Sequence, residues 1–240
     1  MASPGATGRH EQPPLNDAAL REAQKAAAAR ASAELIEDGM RVGLGTGSTV
    51  AHLLPAIARR GLSGLRCVAT SPATEQAALA LGMTVEGLDE IGELDIAIDG
   101  ADQVDPAGWL IKGGGGAHTR EKIVAAHARS FVVIASAEKV VEELTAPVPL
   151  ELVDFAVQSP LRALAPASLR DLPPSPDGGL IADYLGEIGD PSALAARLAG
   201  TPGLVEHGLF EPELVSMILI GTADGVERRA GGDPSAAAQV

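Results

Sequence analysis

The chain has 240 residues, and 46% of them are hydrophobic, which is enough to build a substantial core. Its 18 basic and 32 acidic residues give a net charge of −14, which argues against a broad contact with nucleic acid or with an anionic membrane surface. The single cysteine, Cys67, excludes an intramolecular disulfide and favours a reducing compartment.

The two ends of the chain differ from the rest in composition. The first residues, MASPGATGRHEQPPLND, contain no apolar run that could serve as a signal peptide, and no stretch reaches the roughly 20 apolar residues that span a bilayer. We therefore expect a cytoplasmic protein without membrane or nucleic-acid partners. Because both ends are rich in Pro, Gly, Ala and Ser, we expect residues 1–15 and 231–240 to be mobile tails.

Between the tails, helix-like segments alternate with short apolar runs. In chain order, the pattern predicts a helix at about 17–36, a strand at 41–44, a helix at 48–60, a strand at 65–70, a helix at 73–81, strands at 84–86 and 95–99, a helix at 120–129 and a strand at 131–134. This alternation is typical of βαβ units. We predict an α/β fold with a Rossmann-like parallel sheet that binds its ligand at the carboxyl ends of the strands.

The composition and the hydrophobic pattern of the sequence change after Pro147. Six prolines fall between Pro147 and Pro174, and the apolar runs there are short. We predict a second, smaller α+β domain at about 147–208. Residues 16–146 and about 209–230 then form the Rossmann-like catalytic domain, since the late apolar run SMILIGTADGV is expected to return to the first sheet.

A glycine-rich turn follows the first predicted strand, in RVGLGTGSTVAHLL. Such a turn before a helix points backbone N–H groups at an anion, and phosphate is the ligand that we expect there. The candidate phosphate-binding residues are Gly45, Thr46, Gly47, Ser48 and Thr49, with charge added by Lys25 from the first helix. The alternative is a tight turn with Ser48 as a helix N-cap. The spacing fits neither a P-loop nor a dinucleotide fingerprint, so a small phosphorylated metabolite is favoured.

Two carboxylates end a buried strand in DIAIDGADQVDP. Asp99 and Asp102 can converge on one small polar ligand across a turn, and unpaired they would repel, so that one would hold its proton more tightly. The alternative is ordinary turn chemistry, in which Asp side chains bond to nearby backbone.

Four consecutive glycines separate a lysine from a helix start in LIKGGGGAHTREK. Lys112 is expected at a strand end, and the glycines, including Gly113 and Gly114, allow the chain to lie flat against a ligand. Thr119 is a candidate N-cap that places Glu121 in the first helical turn, where the helix dipole would keep it ionised near neutral pH and able to accept a proton. A flexible linker is the alternative. Together the three motifs predict one site at strand ends of one sheet.

These motifs resemble ribose-5-phosphate isomerase of the A type. The stretches GLGTGSTVAHLL, DIAIDGADQVDP, LIKGGGGAHTREKI, FVVIASAEKVV, PGLVEHGLF and LIGTADGV occur in that family's order over roughly residues 17–228. The resemblance implies reversible isomerisation of D-ribose 5-phosphate to D-ribulose 5-phosphate in the pentose phosphate pathway. It also implies that no metal or organic cofactor is used, and that the protein is a homodimer or homotetramer.

The resemblance also implies roles for individual residues. Glu121 matches the general base that moves a proton between C2 and C1 through an enediolate. Asp99, Asp102 and Lys112 match the groups that handle the sugar oxygens, assist ring opening and stabilise negative charge. The Ser48/Thr49 turn, with Lys25 and Lys139, matches positions at or near the phosphate and substrate pocket.

Two stretches depart from the family pattern. Gln103 stands where the family commonly has Glu, and SPDGGLIAD at 175–183 replaces its usual SDNGN run after a segment that is several residues short. Gln103 removes a charge next to the site, whereas the change at 175–183 concerns the contacts and assembly of the second domain more than the chemistry. Rival functions are a glucosamine-6-phosphate deaminase, which would lack this glycine run, and a phosphosugar sensor, which typically carries a DNA-binding segment. The five histidines show no metal-ligand spacing.

Overall fold

The computed structural model describes residues 17–232, which form alternating helices and strands. The helices are α1 (Asp17–Ala33), α2 (Val50–Arg60), α3 (Pro72–Ala80), α4 (Leu88–Ile91), α5 (His118–Ala126), α6 (Gln158–Ala163) and α7 (Pro191–Ala199), with short 3-10 helices at Ala137–Lys139 and Pro212–Leu214. The strands are β1 (Arg41–Leu44), β2 (Arg66–Ala69), β3 (Thr84–Val85), β4 (Ile96–Gly100), β5 (Gln103–Val104), β6 (Leu110–Ile111), β7 (Phe131–Ser136), β8 (Val148–Leu152), β9 (Ala167–Leu169), β10 (Leu180–Tyr184), β11 (Leu204–His207), β12 (Leu209–Phe210), β13 (Met217–Gly221) and β14 (Val226–Ala230).

Every helix and strand predicted before residue 135 is present, with ends that agree or are shifted by at most three residues. The tails predicted at 1–15 and 231–240 fall outside the described residues, except for two glycines. Gly231 and Gly232 donate backbone hydrogen bonds to the carbonyls of Ser216 and Pro212, and the mobile tail at 231–240 stays a prediction.

A seven-stranded sheet, in the order β14-β13-β7-β4-β1-β2-β3, forms the centre of the molecule. All its neighbours pair in parallel except β14, which is antiparallel to β13. Strand order reverses between β1 and β4, and the crevice outside the carboxyl ends of strands at such a switch point is where open α/β sheets bind ligands. The pairing of β13 with β7 confirms that the chain returns to the first sheet.

Both faces of this sheet are covered by helices, as a parallel sheet requires. Helices α1 and α2 pack on one face around Leu53 and Ile98, and α5 packs on the other face around Val124 and Phe131. Gly43 on β1 allows the close approach of α5, because a Cβ atom there would lie 2.5 Å from Val124 Cγ1. The fold is therefore the predicted α/β class.

The remaining strands form two smaller sheets. Residues 148–207 contribute an antiparallel sheet in the order β11-β8-β10-β9. Its apolar cluster around Leu150 and Leu198 also includes Ile111 and Leu209. Strands β12, β6 and β5 form a three-stranded sheet that the sequence did not predict. Lys112 follows β6 in this small sheet, so the expectation that all three motifs end strands of one sheet is wrong for Lys112.

No helix within residues 17–232 combines the length and the apolar composition needed to cross a bilayer.

Candidate active site

A cavity of about 110 Å³ opens at the carboxyl ends of β1 and β4. It is lined by the glycine-rich turn at 46–49, the turn at 100–102, the glycines at 113–115, and the side chains of Lys112, Glu121 and Lys139. The structure thus brings the three sequence motifs together around one space, even though Lys112 arrives from a different sheet. Gly45 and Asp99 lie immediately behind this lining.

The glycine-rich turn presents free backbone amides to the cavity. Gly47 has φ +117°, and α2 starts at Val50 with Thr49 at its N-cap position but without a side-chain capping bond. Within the described residues, the N–H groups from Gly47 to Val50 donate to no protein acceptor. Unpaired N–H groups at a helix N-terminus bind anions. The alternative reading of Ser48 as the N-cap is wrong, and the predicted phosphate cradle has the geometry it requires.

A cluster of hydroxyl groups stabilises the glycine-rich turn through hydrogen bonds to Thr46 and to the Gly45 carbonyl. Thr46 Oγ1 lies 2.7 Å from Thr70 Oγ1 and 2.9 Å from Ser71 Oγ, and Thr74 Oγ1 donates to the Gly45 carbonyl at 2.9 Å. Sequence reasoning missed Thr70, Ser71 and Thr74. A signal was available, because TSPAT follows β2, whose carboxyl end lies beside that of β1.

Asp99 is buried against the same turn. Its Oδ1 accepts hydrogen bonds from the amides of Thr46 at 3.0 Å and of Gly100 at 2.7 Å. A Cβ atom on residue 45 would lie 1.9 Å from Asp99 Oδ1, so Gly45 is required by the close approach of the carboxylate. Burial raises the pKa of Asp99, while Lys112 and these two amides act in the opposite direction.

Lys112 links the two buried carboxylates. Its Nζ lies 2.8 Å from Asp99 Oδ2 and 3.0 Å from Glu121 Oε2, and it donates to the Gly100 carbonyl at 2.5 Å. The side chains of these three residues are each at most 5% exposed. Burial lowers the pKa of Lys112, but Asp99 and Glu121 outweigh that effect and raise it overall. Lys112 is therefore protonated at neutral pH and lies between two acidic side chains.

Glu121 stands in the first turn of α5, as predicted, but its electrostatics differ from the prediction. Burial and the charge of Asp99 raise the pKa of Glu121 to about 8, against the opposing effect of Lys112. The expectation that the helix dipole keeps it ionised at neutral pH is therefore wrong, because desolvation costs more than the dipole supplies. Glu121 Oε2 is buried at ion-pair distance from Lys112 yet accepts no hydrogen bond.

Thr119 is not the N-cap of α5. That position is Ala117, which has no side chain to cap the helix, and Thr119 Oγ1 instead donates to Glu151 on β8.

Close contacts explain Gly113 and Gly114 in the glycine run. A Cβ atom on Gly113, which has φ +97°, would lie 2.6 Å from His118 Nδ1, and one on Gly114 would lie 2.9 Å from Asp102 Oδ1. The Gly114 amide donates to Asp102 Oδ2 at 2.7 Å. Gly113 and Gly114 therefore form a glycine wall of the cavity that orients Asp102, and these contacts argue against the alternative of a flexible linker.

Of the two lysines predicted near the phosphate, only Lys139 lines the cavity. Lys139 lies on a 3-10 helix at the end of β7 and lines the cavity. Lys25 is absent from the lining and pairs with Glu22 at 2.8 Å, although its helix α1 packs against the 3-10 helix that carries Lys139. A role for Lys25 stays a prediction.

Both departures from the family pattern have local explanations. The Gln103 amide donates to the Thr145 carbonyl and accepts from the Thr145 amide, each at 2.8 Å, and a carboxylate could not make the first of these bonds. In the altered segment, Asp177 forms a two-bond ion pair with Arg120 at 2.7 Å, and Ser175 donates to Glu151. The segment at 175–183 therefore contacts the first turn of α5.

Within residues 17–232, no three His, Cys, Asp or Glu side chains are grouped as metal ligands.

The family model and the curated relatives point to the same family. The family model for ribose 5-phosphate isomerase A (phosphoriboisomerase A) matches residues 66–225. The ribose-5-phosphate isomerase A of Caulobacter vibrioides is 45% identical over 220 residues, which cover 85% of this chain and 96% of that protein. The enzyme of Methanosarcina acetivorans is 44% identical over 217 residues, which cover 84% and 92%.

Solved structures agree with these relatives. Ribose 5-phosphate isomerase A from Methanocaldococcus jannaschii superposes with a TM-score of 0.81 at 34% identity, covering 86% of this chain and 97% of that one. A D-ribose-5-phosphate isomerase in complex with phospho-erythronic acid has the same TM-score, identity and coverage.

Proposed function

The chain belongs to the ribose 5-phosphate isomerase A family and interconverts ribose 5-phosphate and ribulose 5-phosphate, and from the site geometry we propose which residues carry each step. Glu121 is the base that moves the proton between C2 and C1, and Lys112 stabilises the charge that develops on the sugar oxygens. The observation that carries this assignment is the buried contact of 3.0 Å between Glu121 Oε2 and Lys112 Nζ on the cavity wall.

The substrate phosphate binds at the start of α2. The free amides from Gly47 to Val50 supply directional donors, the Ser48 and Thr49 hydroxyls add further bonds, and Lys139 supplies positive charge. Lys25 reaches the same phosphate after leaving Glu22. Anchoring the phosphate at this end directs C1 and C2 toward Lys112 and Glu121.

Proton transfer then proceeds through an enediolate. The Glu121 carboxylate removes the C2 proton of open-chain ribose 5-phosphate, the C2–H electrons form the C1–C2 double bond, and the former carbonyl oxygen O1 takes up the negative charge beside Lys112. Return of the proton from Glu121 to C1, with transfer of the O2 proton to O1, leaves the C2 carbonyl of ribulose 5-phosphate. A positioned base of this kind contributes roughly 10²–10⁴-fold to the rate, and Lys112 provides the electrostatic contribution.

The two aspartates have different roles. Asp102 lines the cavity and handles the hydroxyl protons of the sugar, including those moved in ring opening. Asp99 already meets three N–H donors behind the lining, so it acts through Lys112 as a positioning residue. This assignment modifies the expectation that Asp99 contacts the sugar directly.

Three wider proposals accompany the residue roles. The reaction uses no metal or organic cofactor, the protein is a homodimer or homotetramer, and it works in the cytoplasm as part of the pentose phosphate pathway. The smaller unit at about 147–208 serves as a second domain beside the catalytic one.

The experiment is conversion of ribose 5-phosphate to ketopentose phosphate by purified protein in EDTA, with Glu121→Gln and the exposed-site control Glu142→Gln alongside. We expect turnover by the parent and by Glu142→Gln, and loss of most turnover with retained binding in Glu121→Gln. With ribose 5-phosphate deuterated at C2, the parent should show a slower reaction and partial transfer of the label to C1. Near-normal kcat in Glu121→Gln would remove Glu121 as the base.

A further inference from the structure

We infer that Arg170, from the segment that follows β9, is a positioning residue that fixes the glycine wall of the active site. This inference rests on the proposed function, because it assigns a kinetic effect to a side chain outside the cavity lining. Arg170 belongs to the four-stranded sheet region, whereas the catalytic groups come from other parts of the chain.

The guanidinium group of Arg170 joins two separate parts of the structure. Its Nε and Nη2 donate to the two carboxylate oxygens of Asp183 on β10, at 2.8 and 2.6 Å. Its Nη1 donates to the carbonyls of Gly113 at 3.1 Å and of Gly114 at 2.9 Å. The side chains of Arg170 and Asp183 are only 16% and 17% exposed. Because the ion pair with Asp183 is bidentate, the planar group has one fixed orientation toward the glycines.

Glycines need such a restraint more than other residues do, because they have the largest backbone freedom to lose. The peptide between Gly113 and Gly114 is held on its carbonyl side by Arg170, and the Gly114 amide on its other side donates to Asp102. Arg170 therefore sets the orientation of Asp102 through one peptide unit. The buried ring of His118 also packs closely against Gly113, where a Cβ atom would lie 2.6 Å from its Nδ1.

The residues that Arg170 contacts are separate from those that bind the substrate phosphate. The phosphate cradle lies on β1, α2 and the 3-10 helix of Lys139, none of which bonds to Arg170 within the described residues. The reacting end of the sugar faces the glycine wall and Asp102. Loss of Arg170 should therefore impair the chemical step and leave phosphate binding intact.

The test compares Arg170→Met with the parent, using kcat, KM and two inhibitors whose Ki values report on different parts of the site. Inorganic phosphate probes the cradle alone, and phospho-erythronic acid adds a carboxylate at the reacting end. We expect kcat to fall roughly 10- to 100-fold, as misplacement on an ångström scale does. The Ki of phospho-erythronic acid should rise by a similar factor, while KM and the Ki of phosphate stay within about threefold.

Two further sets of variants separate positioning from folding. Arg197→Met removes another arginine of the same region, which donates to the Ala163 carbonyl, and should leave kcat unchanged. Asp183→Asn should lower kcat in the parent but add little in the Arg170→Met background, because both changes act through one guanidinium. Arg170→Lys, which keeps the charge without the fixed fork, should fall between parent and Arg170→Met.

Specific results would overturn the inference. Unchanged kcat in Arg170→Met, measured per folded molecule, would do so, as would an equal rise in the Ki of both inhibitors or additive effects of the two substitutions. If the parent converts ribose 5-phosphate and Arg170→Met matches it, only this inference fails. If the parent converts none, the proposed function fails first.

Discussion

Replacing Glu121 by Gln should stabilise the protein increasingly as the pH rises. The pKa of Glu121 is raised from 4.5 to about 8, first by burial and then by the charge of Asp99. Between these two values the folded protein keeps a proton that the unfolded chain has released, so the free energy of unfolding falls as the pH increases. The amide of the Glu121→Gln variant has no such proton to release, so the variant should not show this loss.

The magnitude follows from the size of the shift. Each pKa unit corresponds to about 1.4 kcal/mol, so a rise from 4.5 to about 8 sets a ceiling of roughly 5 kcal/mol on the difference between variant and parent above pH 8. At pH 4.5 a protonated Glu and a Gln have the same shape and charge, so the difference there should be near zero. Relaxation around the ionised group reduces the ceiling, and we expect about 2–5 kcal/mol at pH 9.

The assay is urea unfolding from pH 5 to pH 9, followed by the fluorescence of Trp109, the single tryptophan of the chain. Glu142→Gln, at an exposed position, controls for the loss of one carboxylate. In parallel, kcat/KM of the parent should rise with pH up to about 8, since only the deprotonated Glu121 can remove the C2 proton. A stability difference that stays constant from pH 5 to pH 9 would refute the reasoning, because it would mean that Glu121 titrates as an ordinary carboxyl group.

Three other substitutions test the neighbouring groups. Lys139→Met should raise KM and the Ki of inorganic phosphate roughly tenfold with little change in kcat, because it removes one charged partner of the phosphate; steady-state kinetics would contradict this if kcat fell instead. Lys112→Met leaves Asp99 buried without its cation, so we expect a loss of about 3–5 kcal/mol in urea unfolding and at least 100-fold in kcat; a variant as stable as the parent would count against the buried triad. Gly45→Ala should destabilise the fold by roughly 1–3 kcal/mol through its clash with Asp99. Gly115→Ala, whose Cβ would meet nothing within 4 Å, is the matched stability control, and equal unfolding midpoints would show that the contact at Gly45 is relieved easily.

The sequence was sufficient to predict the elements and motifs that depend on local patterns. The buried runs of β4 and β7, the glycine-rich turn and the position of Glu121 in a first helical turn are all visible in short stretches. Gly45 was predicted to allow close approach of a ligand and Gly114 to let the chain lie flat against it, whereas the structure explains both glycines by contacts with Asp99 and Asp102.

The errors arose where distant residues decide the outcome. Thr119 has the residue type of an N-cap, but its hydroxyl group donates a hydrogen bond to Glu151, 32 residues later in the chain. The pKa of Glu121 depends on burial among Asp99 and Lys112, which no local pattern encodes. Arg170 was missed because its role requires contact with a loop 56 residues earlier in the chain.

The four-stranded sheet begins at Val148 and ends at His207, on strands β8 and β11 that are paired side by side. Gly208 donates to the Pro149 carbonyl at 2.7 Å, so the entering and leaving peptides are adjacent. Residues 148–207 therefore enter and leave the larger fold at neighbouring positions. We predict that the corresponding segment of a relative could be exchanged at these two junctions without reordering the central sheet, provided that it brings an equivalent of the Arg170–Asp183 pair to hold the glycine wall in place.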